Sequence, residues 1–361
     1  MSSKQVKLAR HADKQRKKGR FAEARGCIEL GRIEEAESNY GKALEAYFQA
    51  LDVYQQYGYQ QGIAEILKGV GWVYLRQGKF KSAIQASQRA LVLARKEQSI
   101  KLMGEILGNL GRMYNLQGNY QLSLEASQEA LLLARQLGNK QSEGTTLAGI
   151  GLVYQYQGQY SQAIRAYQEA LKIARQIGYR IGEATILGNL AKVFQYQEDW
   201  ANSLENYERA VQISRAIGDR RGLAINLGNK GDVLLKQQRL AEAQINLVEA
   251  IALCDEIFPI GAAAFRGSLA LLYAYLGQVT EAEQVLQEID EQICVDREEY
   301  GKLLCKQAQV YHAAKRFPEA QECMTRAQEI AEKLDATFRS ELGKLLMAAE
   351  RGVLAGKVQL R

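Results

Sequence analysis

Three asparagines stand forty residues apart in otherwise apolar, glycine-studded runs. They are Asn109 in "LGNLGRMYNLQGNY" (107–120), Asn189 in "LGNLAKVFQYQEDW" (187–200) and Asn229 in "LGNKGDVLLKQQRL" (227–240). A carboxamide is donor and acceptor at once. A row of them suits a ligand that exposes N–H and C=O together, as an extended polypeptide backbone does. Residues for other chemistry are scarce. The only histidines are His11 and His312, and no H-E-x-x-H, Walker loop, G-x-S-x-G or metal-spaced Cys/His cluster occurs. The glycines of "GNLGRMYNLQG" follow a helix linker and not a strand, so they lack the context of a dinucleotide-binding turn. The expectation is a protein that is not an enzyme and that uses neither cofactor nor metal.

The elements that must position these amides follow from the spacing. "LKGVGWVYLRQGKF" (67–80) and "LAGIGLVYQYQGQY" (147–160) fall in the same register, so five segments align without a gap. One column reads Tyr74, Tyr114, Tyr154, Phe194, Leu234, and another reads Ala90, Ala130, Ala170, Ala210, Ala250. Within a unit, Leu107, Leu110, Gly111 and Tyr114 recur at i, i+3, i+4, i+7, one face of a helix. Gly118 breaks that helix, and Tyr120 opens a second one through Leu124, Ala130, Leu131 and Ala134. Gly138, with Gly58, Gly178 and Gly218 in register, occupies the position after a helix where a left-handed backbone favours glycine. Alternating β-branched runs are absent. Gly71, Gly111, Gly151 and Gly231 lie on the buried face and predict close approach of the paired helix. Gly108, Gly188 and Gly228 lie off that face and are expected to keep the surface low beside the asparagines.

L-G-x-x-Y, then G-x-Y-x-x-A, then A-L resembles the tetratricopeptide repeat, in the 40-residue subclass found in Pins-type spindle-orientation adaptors and in bacterial TPR proteins. The phrases "LGNLG", "LLLARQLGNKQSEG" and "IGDRRG" carry the likeness across residues 40–250. Gly277, Val279 and Ala282 mark a seventh unit, and Lys315, Phe317 and Ala320 an eighth. Upstream, "KGRFAEA" (18–24) and "LGRIEEA" (30–36) echo the turn. The resemblance implies an all-α fold, an α-solenoid of about seven to eight TPR-like helix pairs forming a right-handed superhelix. The expected organisation is a basic N-terminal tail or helix (1–20), the solenoid (21–335) and a C-terminal capping helix (336–361) whose Leu342, Leu345, Leu346 and Val353 cover the last unit.

In this family the first helix of each pair lines the concave groove. At 100° per residue, Asn109 and Arg112 fall opposite the buried face, together with Leu116. The same positions elsewhere give Trp72 and Arg76; Tyr156; Asn189, Lys192 and Tyr196; and Asn229. Flanking columns add Asn115, Gln155 and Gln195. The resemblance implies that the asparagines hold an extended partner segment while Arg112, Lys192, Tyr156 and Tyr196 choose its side chains. The second and fourth units carry Gly69 and Gly149 at the asparagine position. An asparagine there could instead bond to the adjacent repeat and set its curvature.

Charge and cysteine usage narrow the partner. Of a net charge of +6, the first twenty residues hold eight Lys or Arg and one Asp, so the remaining 341 carry −1. The basic character belongs to the tail, where a solvated helix is the plainer reading and nucleic acid is not the expected partner. Cys27, Cys254, Cys294, Cys305 and Cys323 form no C-x-x-C pair, which suits reduced thiols and a cytoplasmic location. No apolar run nears twenty residues and no secretory h-region opens the chain, so neither a membrane span nor a signal peptide is expected. The partner expected is another protein, presenting an extended segment or a helix, with the chain as its scaffold. The alternatives are a peptide-responsive regulator resembling bacterial quorum-sensing receptors, and a nucleic-acid-associated module acting through the tail. The spacing says nothing of oligomeric state.

Overall fold

The computed structural model describes residues 3–257, 259–289, 297–334 and 341–354, with the side chains of 3–13, 16, 341, 344 and 351–354 excepted. The side chains of His11 and Val353, all of Cys294, and much of the expected cap (336–340 and 355–361) lie outside the described residues. Every described element is a helix. They run α1 (Ser3–Ala36), α2 (Tyr40–Gln56), α3 (Gln60–Arg76), α4 (Phe80–Lys96), α5 (Ile100–Leu116), α6 (Tyr120–Gln136), α7 (Lys140–Tyr156), α8 (Tyr160–Gln176) and α9 (Arg180–Tyr196). There follow α10 (Trp200–Ala216), α11 (Arg220–Lys236), α12 (Leu240–Ile257), α13 (Pro259–Tyr275), α14 (Val279–Gln287), α15 (Arg297–Ala313), α16 (Phe317–Lys333) and α17 (Glu341–Leu354). The chain divides into two compact units, residues 1–153 and 154–361. In each, consecutive helices pack against one another in the manner of a stacked array.

The turns explain why so many helices share one length of seventeen residues. At Gly78 the backbone is left-handed (φ 72°); its N–H bonds to Leu75 O at 2.9 Å, and the Lys79 N–H reaches Tyr74 O at 2.9 Å. This pair of bonds is the Schellman closure, and it recurs at Gly118, where the Asn119 N–H reaches Tyr114 O at 2.9 Å. Ser38, Gln98, Glu198, Gln238 and Lys315 take the same left-handed conformation without being glycine. Starts are fixed by side chains at several helices. Asn139 Oδ1 accepts from the Ser142 N–H (3.0 Å), Asp199 Oδ1 from Asn202 (3.2 Å) and Asp219 Oδ1 from Gly222 (2.9 Å).

The two halves of a pair meet through small residues. A Cβ at Gly71 would stand 2.5 Å from Ser87 Oγ, one at Gly111 2.3 Å from Ser127 Oγ, and one at Gly231 2.7 Å from Leu247. Ser123 Oγ donates to Gly111 O at 2.6 Å, and Ser203 Oγ to Ala191 O at 2.9 Å, which ties second helix to first. Ala50, Ala90, Ala130, Ala170, Ala210 and Ala250 are all buried in the repeating contact.

At the N-terminus the two turn-like phrases prove to be one helix. Gly19 and Gly31 both lie within α1, and the turn comes only at residues 37–39. Gly31 is needed where it stands, since a Cβ there would meet the Tyr47 ring at 2.7 Å. Phe21 packs edge-on to Tyr54 of α2 and to Tyr57 just after it, and Lys17 lies 5.7 Å from the Tyr57 ring centre, so α1 is seated on aromatic rings at the end of α2. At the other end Leu342 and Ala349 of α17 are buried against α15 and α16, with Leu345 and Leu346 packed alongside.

Candidate binding surface

In the first unit, first helices α1, α3 and α5 surround a cleft of about 560 Å³. Asn109 and Trp72 line it, with Arg32 and Glu35 contributed by α1. Lys68 and Glu105 form an ion pair across the cleft wall. Tyr47 reaches in from α2 and donates its hydroxyl to Glu35 at 3.1 Å; burial first, then the Glu35 charge, drive its pKa well above the phenol range. Gly69 explains one gap in the asparagine column: a Cβ there would stand 3.2 Å from the Tyr47 ring. Space that an asparagine fills elsewhere is here taken by a tyrosine. The Arg112 guanidinium carbon lies 5.1 Å from the Trp72 ring centre, and Arg76 Nε–H donates to the Tyr40 hydroxyl at 3.2 Å.

In the second unit Asn189 and Asn229 occupy the same register on α9 and α11 and are half-buried, as is Asn109. Lys192 and Tyr196 are half-buried, and Tyr196 stacks on Tyr160. Tyr156 is 55% exposed. Among the described residues, none of the side chains of Asn109, Asn189 and Asn229 hydrogen-bonds to an adjacent repeat.

Two expectations require correction. Gln155 does not flank a groove: it is 5% exposed, and its Oε1 accepts from the Tyr167 hydroxyl at 3.1 Å. Its position faces the second helix of its own pair, as Glu35 faces Tyr47 twelve residues on. Asn115 and Gln195 share that register; both are half-buried, and Asn115 Oδ1 is enclosed without a hydrogen-bond donor among the described residues. Nor do Gly188 and Gly228 serve to lower a wall. A Cβ at Gly188 would meet Asn226 Oδ1 at 2.5 Å, and one at Gly228 the Phe265 ring at 2.2 Å, so these glycines admit the next first helix. Only Gly108 of the three has open space beside it.

Cys254, Cys305 and Cys323 behave as core residues. Burial pushes the Cys254 and Cys323 thiols up to about 11 and Cys305 to about 12. No group of His, Cys, Asp and Glu among the described residues could hold a metal ion, and no described helix is long and apolar enough to cross a membrane.

The comparisons agree with this architecture. A comparison with curated proteins finds no match. Among solved structures, the chain is similar to the apo form of the quorum sensor NprR from B. thuringiensis, with 17% identity and a TM-score of 0.64 over 85% of this chain and 87% of that one. It is similar to a STAND protein with a tetratricopeptide repeat sensor, PH0952 from Pyrococcus horikoshii, at 20% identity and a TM-score of 0.62. That match covers 75% of this chain but only 42% of the archaeal one. The apo form of RapI matches at 17% identity and a TM-score of 0.53, covering 74% of this chain and 99% of that one. At such identities the likeness is one of fold. The tetratricopeptide repeat model matches residues 23–96, 102–176 and 182–256, well over half of the chain. With paired helices, Schellman turns and an in-register 40-residue frame, this chain belongs to the tetratricopeptide repeat family.

Proposed function

We propose that this repeat scaffold binds segments of another protein, extended or helical, on the surface that the first helices form within each unit. The observation that carries the reading is the state of the three amides. Asn109, Asn189 and Asn229 repeat in register, are half-buried, and make no hydrogen bond to the neighbouring repeat among the described residues. A half-buried amide with unused donors and acceptors is suited to a backbone that arrives from outside. Asn109 also stands on the wall of a cleft with Trp72, a residue type enriched where proteins bind. In the second unit Lys192, Tyr156 and Tyr196 are the side chains that would choose among sequences.

The test treats each unit separately. A pull-down with the intact chain identifies a partner, and titration follows with Asn109→Ala and with Asn189→Ala/Asn229→Ala. Loss of an amide that bonds to ligand weakens binding by about 0.5–1.5 kcal/mol per bond, roughly two- to tenfold each. The helices should survive, because alanine is the better helix former. Variants that bind normally but unfold at lower temperature would assign the asparagines to the fold and overturn the proposal.

A further inference from the structure

α1 is twice as long as the helix it packs against, 34 residues to the 17 of α2. Phe21 meets Tyr54, Tyr57 and Tyr59, so α2 ends beside the middle of α1. The turns before Lys17 therefore run on for about 20 Å, at about 1.5 Å per residue, past the second helix of their pair. In the packed half of α1 basic side chains have acids: Arg20 has Glu23 at 2.7 Å and Arg32 has Glu29 at 2.8 Å. The projecting half differs. Lys4, Lys7, Arg10, Lys14, Lys17 and Lys18 follow one another mostly at steps of three and four. At about 100° per residue these six positions share an arc of about 140°. Asp13, the one acid in the first twenty residues, falls outside that arc. Lys14, Lys17 and Lys18 are exposed and form no ion pair among the described residues.

We propose that this projecting basic stripe binds the phosphate backbone of a nucleic-acid duplex. A run of like charge is ordinarily just solvated. Here it is ordered along one side of a helix, and a helix about 10–12 Å across matches a major groove about 12 Å wide. Five of the six positions are lysine, a point charge suited to phosphate. An anionic membrane fits less well, because a helix lying in that interface buries an apolar face. Val6 and Leu8 are the only large apolar residues between positions 2 and 20, and they stand about 160° apart on the helix. The other 341 residues sum to −1, so the attraction is confined to α1 and is independent of the protein-binding surface proposed above.

The test is fluorescence anisotropy of a short labelled DNA duplex, titrated with the full chain at several NaCl concentrations. Binding should be roughly micromolar at low salt, and log K should fall against log[salt] with a slope of about −5, as five or six neutralised phosphates require. Lys14→Gln/Lys18→Gln should make the slope shallower by about 2. Both side chains are exposed, so the melting temperature should stay near native. Arg16→Gln lies off the stripe and should change the slope little. Phosphatidylserine-containing vesicles should bind more weakly than the duplex at equal salt. No duplex binding, a slope near zero, or an equal loss per charge from Arg16→Gln overturns the proposal. Vesicle binding tighter than duplex binding overturns it as well and assigns the stripe to a lipid surface.

Discussion

Tyr160 and Tyr196 stack with ring centroids 5.7 Å apart and planes 24° from parallel, and they belong to neighbouring helix pairs. The first residue of one second helix meets the last turn of the following first helix. The same relation, thirty-six residues apart in sequence, places Arg76 on the Tyr40 hydroxyl and Lys236 over Trp200 at 6.0 Å. Stacking, cation–π contact and hydrogen bond thus alternate at one structural position. A double-mutant cycle on Tyr160→Ala and Tyr196→Ala should give a coupling energy of about 0.5–1.5 kcal/mol in denaturant unfolding. Strict additivity would show that the rings meet without stabilising the junction.

The left-handed turn residues divide into glycines and others, and the division is testable. Gln238 has φ 60° where Gly118 has 74°. Gln238→Gly should raise stability by about 1 kcal/mol, since a side chain in this conformation costs roughly 1–2 kcal/mol. Gly118→Ala should lower it by a similar amount. The denaturant midpoints of the two variants must move in opposite directions.

Two glycines of one sequence column should respond oppositely to alanine. At Gly228 the new methyl would stand 2.2 Å from the Phe265 ring, and overpacking of that kind typically costs about 1–3 kcal/mol. At Gly108 it would meet nothing within 4 Å, and the helix should gain about 0.5–1 kcal/mol. Thermal melts of the pair check this directly.

Glu143 is buried between Lys140 at 2.7 Å and Arg135 at 3.0 Å. The Lys140 hydrogen bond, then that of Arg135, outweigh desolvation and hold its carboxyl below the usual range. A depressed folded pKa contributes stability that is present above the unfolded value, about 4.3, and is lost as pH falls through the folded one. Glu143→Gln should therefore flatten the acid limb of the stability–pH curve below about pH 5. An unchanged limb would mean that other carboxylates govern it. Glu183 is clasped in the same way one repeat later, by Arg175 at 2.8 Å and by Arg180.

Leu342 is fully buried, and its methyls lie about where a Cβ on Gly301 would be, 2.9 Å away. Leu342→Ala should cost about 2–5 kcal/mol locally. Hydrogen exchange should report faster opening of α15 and α16, with α3 and α5 unchanged, because a stacked array transmits destabilisation mainly to neighbours.

The helix pairs, their turns and the close approach at Gly71, Gly111 and Gly231 were legible because each repeats in register, and a column of glycines needs no partner to be noticed. What escaped reading were relations between columns. Gln155 lies about 100° from Tyr156 on a helical wheel, at the border of the open face, and the placement of the second helix decides that it is buried under Tyr167 while Tyr156 is open to solvent. That placement is a property of packed side chains and leaves no period in the sequence. The offsets of twelve and thirty-six residues are of this kind, as are Lys68 with Glu105 and Arg112 with Trp72. Once the offsets are known, Tyr40, Tyr160 and Trp200 can be read against Arg76, Tyr196 and Lys236 from sequence alone.

The Schellman turns close on bonds that span five residues, and the pairs they join touch mainly their successors. Lys306, which donates to the carbonyl of Ala264 forty-two residues back, reaches about one repeat. Chain closure over such short spans costs little entropy, and topologies built from near-sequence contacts fold fast. A nascent chain leaving the ribosome has the partner of each new helix already in place behind it. The order of synthesis and the order of packing coincide, so assembly can keep pace with translation without waiting for the C-terminus.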